Sequence, residues 1–447
     1  MSRVLWNVVE THLDEGACIF SQWCAAMDSP RLRLSDVARG PERRLFAHVH
    51  GLRVGGDEVF ERVLMPLLDA PNRADPDRLS VAVMVALLQG KRNTALAPVL
   101  WDWGPTVREA TVRACRAVAD PVVDRWACEV LTKGASPDQV TSLLELVATR
   151  RVPSRPLLSA LHGDKAALLC AASRAARRPT QALHAGAIDH LLDHDDADVR
   201  DEALVTSLCL GSPLGQRWCR QLARSQEYCT PQVLELLALA GGPADHETVV
   251  DALRWKDRRP AAIRALGLSG NVEVVEPLLG LLEGDGGDDD STARLAGEAL
   301  SLITGIDLDD PALQDDSPSV GIEQEAADAL PSLWDDDLEA NLVPGPEREL
   351  PRPAPAAVRT WWGHNRGRFS TQRRYLAGVD RYPHGVLHQL EKGRMRHRHA
   401  LALSLELRTG GRRQIATRAR TDMQRTQLDA LVCALPQDPA ASQSELV

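Results

Sequence analysis

The sequence predicts an all-α chain: an α-solenoid of stacked helical hairpins with an N-terminal helical cap and a basic C-terminal helical unit. Three observations lead there. Alanine and leucine dominate, aromatics make up only 4% of the 447 residues, and period-two runs of β-branched residues are nearly absent. The 28 prolines and 31 glycines fall at intervals, as punctuation between helices does. A Val-Arg pair, or an equivalent, followed by small residues returns with a period of roughly 30 residues, within the range of solenoid repeats.

In chain order the members are Arg78-Leu-Ser-Val-Ala82, Val107-Arg108, Gln139-Val140, Ala167-Leu168, Val199-Arg200, Gln232-Val233, the stretch Arg258 to Ala262, and Arg294. Each unit reads as two helices. An Asp or Thr before the second helix can accept from its free N–H groups and complement its positive end. Alanines at helical spacing let neighbouring helices approach closely, and Leu-Gly endings supply stops. One hairpin cannot bury both of its apolar faces, whereas a stack can. The repeated arginine is expected to cross to the neighbouring unit and pair with a turn aspartate there. In His190 to Leu204, the two histidines then end a first helix, and Asp195, Asp196 and Asp198 form its turn and cap. A metalloprotease helix would read His-Glu-x-x-His; the glutamate is missing, so a solvated turn is expected.

Residues 1–75 predict a helical cap over the first repeat's open face. Leu5, Val8, Val9, His12 and Leu13 supply its apolar positions, with Trp6 and Trp23 as bulky fillers. A second helix stops at Gly55-Gly56, and His48 and His50, two apart, do not share a helical face. The expected organisation continues with a repeat array over 76–310, an acidic linker over 311–352, a basic helical unit over 353–435 and a disordered tail over 436–447.

Charge is lopsided towards the C-terminal end. Residues 283–349 hold 20 acidic and two basic residues, whereas 351–425 hold 17 Lys or Arg against four acids. The basic stretch interleaves cations with aromatics, and Arg359, Trp361, Trp362, Arg366, Arg368, Arg373 and Arg374 are the expected partner-binding residues. Three occupants fit: the chain's own acidic linker, tethered nearby; an acidic protein; or nucleic acid, held with steep salt dependence.

The nine cysteines include no Cys-x-x-Cys pair and read as small hydrophobes in a reducing compartment. The N-terminus has no apolar run of signal-peptide length, and no stretch suits a membrane span, so a cytoplasmic protein is expected. No Walker-type, dinucleotide-binding or Ser/His/Asp motif stands in a supporting context. Catalytic residues, metals and cofactors are therefore not expected.

The pattern Asp-x-Val-Arg-x-x-Ala-Leu at 198–204 and its companions resembles the HEAT-type helical repeat, in the short form related to phycobilisome-lyase repeats. The resemblance covers about residues 76 to 310. It implies an interaction scaffold rather than an enzyme. Two HEAT-like enzyme classes are weighed against it. DNA glycosylases of this type cradle bases with tryptophan and aspartate, as Trp101-Asp102-Trp103 could, but residues 1–282 lack the basic excess that phosphate binding needs. Deoxyhypusine hydroxylase needs several His-Glu pairs, and only His246-Glu247 fits. Chain-wide, the segment 47–56, Trp361-Trp362 and the segment 396–403 resemble a bacterial family of HEAT-like proteins encoded near type VI secretion genes. That resemblance implies an accessory or assembly role in secretion.

Overall fold

The structure is a computed structural model describing residues 4–69, 75–90, 105–118, 121–133, 137–147, 154–177, 183–184, 186–283, 290–315 and 345–434. It is mostly helical, in line with the all-α expectation. Strands among the described residues are confined to one antiparallel pair. The chain forms two compact units. The first runs to Gln221 and resumes at Leu390; the second is Leu222–Gln389. This division differs from the expected five parts, because the basic stretch is shared between the two units instead of standing alone. The ends of the expected acidic linker explain part of it. Asp315 N–H donates to Arg352 O at 2.9 Å and Ala354 N–H to Leu313 O at 2.8 Å, so the stretches at 313–315 and 352–354 lie side by side within the second unit.

The first unit opens with α1 (Trp6–Ala26), which buries Val9, Leu13, Gly16, Ala17, Ile19, Phe20 and Trp23. Leu5 and Val8, expected on that stripe, are exposed. The chain continues through α2 (Leu34–Val37), a π-helical turn at Ala38–Glu42 that contains Pro41, and α3 (Arg43–Val54). Next come α4 (Gly56–Val59) and α5 (Met65–Asp69), joined by a second π-turn at Phe60–Leu64. Hairpins then take over: α6 (Pro76–Leu88), α7 (Pro105–Ala117), α8 (Pro121–Lys133), α9 (Pro137–Val147), α10 (Ser154–Ala160), α11 (Ala166–Ala176) and α12 (Ala197–Cys209). Helices α6, α7, α9, α11 and α12 pack each on the next, with successive starts 29, 32, 29 and 31 residues apart.

Small residues make that packing close. Ala171, Ala172, Ala175 and Ala176 of α11 are fully buried, and Thr206 of α12 donates its hydroxyl to Ser173 O at 2.8 Å across the contact. Ser80 does the same to Ala110 O at 3.1 Å between α6 and α7. These bonds offset the cost of taking the two hydroxyls out of water.

The cap at Asp196 is as expected: its carboxylate accepts from Asp198 N–H at 2.9 Å and Val199 N–H at 3.3 Å. Asp196→Ala should destabilise the first unit by about 1 kcal/mol, read as a shift in urea midpoint at constant slope. Two details differ from expectation. Asp189–Leu191 is a single 3-10 turn rather than the end of an α-helix. Arg200 reaches back to His194 O and Asp195 O of its own turn, at 2.7 and 2.8 Å, because its helix starts only three residues earlier.

After α13 (Pro213–Arg224), the second unit holds α14 (Pro231–Ala240), α15 (Pro243–Ala252), α16 (Arg259–Ser269), α17 (Val275–Gly280), α18 (Asp290–Thr304) and α19 (Pro355–Asn365). Its inner helices α14, α16 and α18 start 28 and 31 residues apart and again pack in sequence. Gly267 permits the tightest approach: a Cβ there would lie 2.8 Å from Ala299 Cα. Here the repeated arginine does cross, as Arg258 donates to Ser225 O at 3.0 Å in the preceding hairpin.

The stretch after α19 was expected to be helical, but it forms β1 (Tyr375–Leu376) and β2 (Val379–Asp380). The turn between them sets this, since Ala377 at φ 50° and Gly378 at φ 78° match the primed turn that joins twisted strands.

The second unit ends within α20 (Val386–Lys392), and the first unit resumes with α21 (Met395–Arg408) and α22 (Thr421–Ala434). These helices join the N-terminal ones. Met395 N–H donates to Leu32 O at 2.8 Å, and Arg418 makes a two-bond fork to Asp28 at 2.7 and 2.8 Å. Burial works against the Asp28 carboxylate, but hydrogen bonds from His399 and Arg418 outweigh it and hold its pKa below the usual range.

Candidate functional site

The seven residues singled out in the basic stretch all lie in the second unit, and the structure gives them unequal roles. Trp362 is buried, donates Nε1–H to Glu276 at 2.9 Å and meets the Phe369 ring, which in turn stands edge-on to Tyr375. Arg359 is held by Glu283 at 2.8 Å and Leu279 O at 3.2 Å. Arg374 is half-buried and fully engaged: it donates to Ser269 O at 2.8 Å, Ala238 O at 2.6 Å and His246 Nε2 at 2.7 Å. Trp361 is half-buried. Only Arg366, Arg368 and Arg373 are exposed, with Arg368 bonded to Asn365 and Arg373 to Asp380.

The hairpin explains this engagement. Last-turn carbonyls of α14, α16 and α18 lack partners inside their own helices and form the negative ends of three macrodipoles. Arg374 bonds Ala238 O and Ser269 O, while Arg381, fully buried, adds a donor to Ser269 O at 2.7 Å. Tyr375 N–H reaches Gly270 O at 2.7 Å; Ala377 and Gly378 N–H reach Leu302 O and Ile303 O at 2.6 and 3.0 Å. Much of the basic stretch therefore closes repeat ends. Its cations answer backbone carbonyls, which sequence-level charge counting does not register.

Two titrating groups beside this closure have opposed shifts. Burial, with the Arg374 charge second, pushes the His246 pKa down to about 4. Burial pushes Glu235 up to about 7, against the pull of Arg264. A histidine with a depressed folded pKa contributes stability above pH 6.5 that is lost as pH falls towards 4. A carboxyl with a raised folded pKa contributes stability below pH 4.5 that is lost as pH rises towards 7. The two nearly cancel between pH 4.5 and 6.5. Glu235→Gln should therefore leave a second unit that loses on the order of 2 kcal/mol on acidification across that window. Urea titrations at several pH values would show it; a flat profile in the variant would refute the assignment.

In the first unit a charge ladder runs along the successively packed helices α6, α7, α9, α11 and α12. Arg113 of α7 pairs with Asp77 of α6 and lies 5.2 Å over the Phe20 ring of α1. Glu145 of α9 meets Arg174 of α11 at 3.4 Å; Arg174 and Arg177 both bond Glu202 of α12, at 2.9 and 2.5 Å. Arg113, Glu145 and Arg174 each stand eight residues after their helix start, so one register position repeatedly carries charge. Arg116, one turn beyond Arg113, is half-buried. Burial lowers its pKa; Glu145 pulls the other way, and the Arg418 and Arg174 charges add to the lowering.

Elsewhere histidines are absorbed locally. His190 Nε2 lies 2.9 Å from Leu161 O, with its ring stacked on His162, and His194 Nδ1 accepts from Asp196 N–H at 3.0 Å. His12 and His48 share one contact between their Nδ1 atoms at 3.2 Å, which requires at least one neutral ring. Among the described residues no group of three or more His, Cys, Asp or Glu side chains has metal-binding geometry. All nine cysteines are free thiols; burial pushes Cys170 up to about 11 and Cys209 up to about 12, which keeps both protonated. No helix among the described residues is long and apolar enough to cross a membrane. Trp101-Asp102-Trp103 and the centre of the acidic stretch lie outside the described residues.

No family model matches the chain, and no curated protein matches it.

Proposed function

We propose that the protein is a non-catalytic α-solenoid of short HEAT-like repeats that presents an extended face to other proteins. The observation that carries this is the recurrence of inner helices at 28 to 32 residue intervals within each unit, every one packed on the next. Such stacking generates a long surface in which the same register position faces the same way in each repeat. Arg113, Glu145 and Arg174 share one such position, and Glu145 and Glu202 both bond Arg174, which gives the surface a defined electrostatic pattern. A role as accessory or assembly factor of a bacterial type VI secretion system is the context that the resemblance of segments 47–56 and 396–403 supports.

Affinity capture of the full chain from its native host, followed by cross-linking, tests this. A stable protein partner cross-linked to residues of the inner helices is the expected result. Repeated recovery of the bare protein would overturn it. Nucleic acid is the second reading, supported by exposed Arg366, Arg368 and Arg373. It requires labelled DNA or RNA to bind with an affinity that falls steeply across a salt series.

A further inference from the structure

Two histidines 36 residues apart in sequence meet nitrogen to nitrogen in the first unit. His12 of α1 and His48 of α3 approach through their Nδ1 atoms at 3.2 Å, with the ring planes 75° apart. Both residues are half-buried and keep part of their surface in solvent. Two facing ring nitrogens can share one proton, or they can converge on one cation. The span suits the second arrangement as well as the first. Imidazole nitrogens bound about 2.0–2.1 Å from one metal ion lie about 2.9 to 3.4 Å apart, from right-angle to tetrahedral coordination.

The surroundings favour the pair as a unit. Gly51 lies inside α3, where glycine is less stable than alanine, and a Cβ there would stand 2.6 Å from His12 Nε2. Its missing side chain makes the room that the His12 ring takes beside α3. Apart from His12, the charged groups acting on His48 are Glu15, exposed one turn along α1, and Arg44, exposed one turn back along α3. Glu15 favours a cation between the rings and Arg44 opposes it, so the site carries no net charge barrier to a metal ion.

We infer that His12 and His48 chelate, through their Nδ1 atoms, a divalent transition metal of the class that imidazole suits, zinc or nickel, and that the ion pins α1 to α3. Closed structural zinc sites hold four protein ligands. With two, water fills the remaining positions, and the ion exchanges freely and adds to the stability of the N-terminal helices instead of being required for folding. The site is independent of the scaffold function above.

Nickel chloride alone is the probe, because the nine free thiols compete better for zinc. Calorimetric titration of the full chain should show one saturable equivalent, and nickel should raise the melting temperature in a way that EDTA reverses. His12→Ala and His48→Ala should each weaken that equivalent at least about tenfold. Gly51→Ala keeps both ligands but displaces the His12 ring, so it should weaken nickel while the metal-free protein melts no lower. His50→Ala, on another face of α3, should leave the affinity unchanged. In the unaltered protein, paramagnetic nickel should broaden the ring resonances of His12 and His48 before those of the other histidines, a readout that needs no variant. Unchanged affinity in His12→Ala, His48→Ala or Gly51→Ala, an equal loss in His50→Ala, or broadening that begins at other histidines would each overturn the proposal.

Discussion

Replacing Glu42 by alanine is expected to destabilise the first unit by about 4 kcal/mol, the largest effect of any polar substitution considered. The carboxylate is buried where α1, the π-turn before α3 and the start of α22 meet. Its two oxygens accept from three donors: Trp23 Nε1–H at 3.2 Å, Thr421 N–H at 3.0 Å and Thr421 Oγ1–H at 2.6 Å. Truncation strands all three in a site that water does not reach. Glu42→Gln keeps the shape and one acceptor and should lose roughly half as much. The measurement is urea unfolding followed by Trp fluorescence, with limited proteolysis as a second readout. Cleavage after α21 should accelerate, because α22 is released first. A loss under 1 kcal/mol for the alanine variant would show that this junction is solvated.

Gly270→Ala should damage the second unit by a similar amount, about 3 to 4 kcal/mol, by backbone sterics alone. Gly270 follows α16 with φ 69°, the left-handed conformation that ends helices and that L side chains resist. A Cβ there would also stand 2.4 Å from Tyr375 O, inside the hydrogen-bonded contact between α16 and the hairpin. Neither atom is on a flexible side chain, so the hairpin itself must move and take Arg374 and Arg381 off their carbonyls. Gly280→Ala is the control. It lies in α17 with nothing within 4 Å of the added methyl and should be neutral or slightly stabilising. Equal melting behaviour for the two variants would contradict the closure described here.

The repeat was legible because its determinants are local. Caps such as Asp196, helix-starting prolines at 76, 105, 137, 213, 231 and 243, and alanine spacing all act within one hairpin. The closing of the C-terminal segment on α1 and the π-turn was not legible. It depends on pairs hundreds of residues apart, such as Arg418 with Asp28 and Thr421 with Glu42, whose types occur everywhere in the chain.

The part that the basic stretch plays in closing the repeat ends was not legible for another reason. Counting charges pairs cations with anions, whereas Arg374 and Arg381 serve neutral carbonyls at helix ends. A signal for the hairpin did exist: Ala377-Gly378 sits between Tyr375-Leu376 and Val379-Asp380, short runs that strands tolerate. The charge ladder of the first unit was readable too. Aligning helix starts brings Arg113, Glu145 and Arg174 into one column, which attention to the Val-Arg pairs passed over.

That the first unit is assembled from two segments separated by the second unit has a consequence for its synthesis. Residues 222–389 are contiguous and can complete their unit while still tethered to the ribosome. The opening helices cannot. Glu42 and Asp28 emerge hundreds of residues before their partners Thr421 and Arg418, with the whole second unit made in between. Until then the N-terminal helices wait with buried-to-be apolar and charged groups exposed, so a nascent chain stalled before residue 395 should be the species that chaperones hold.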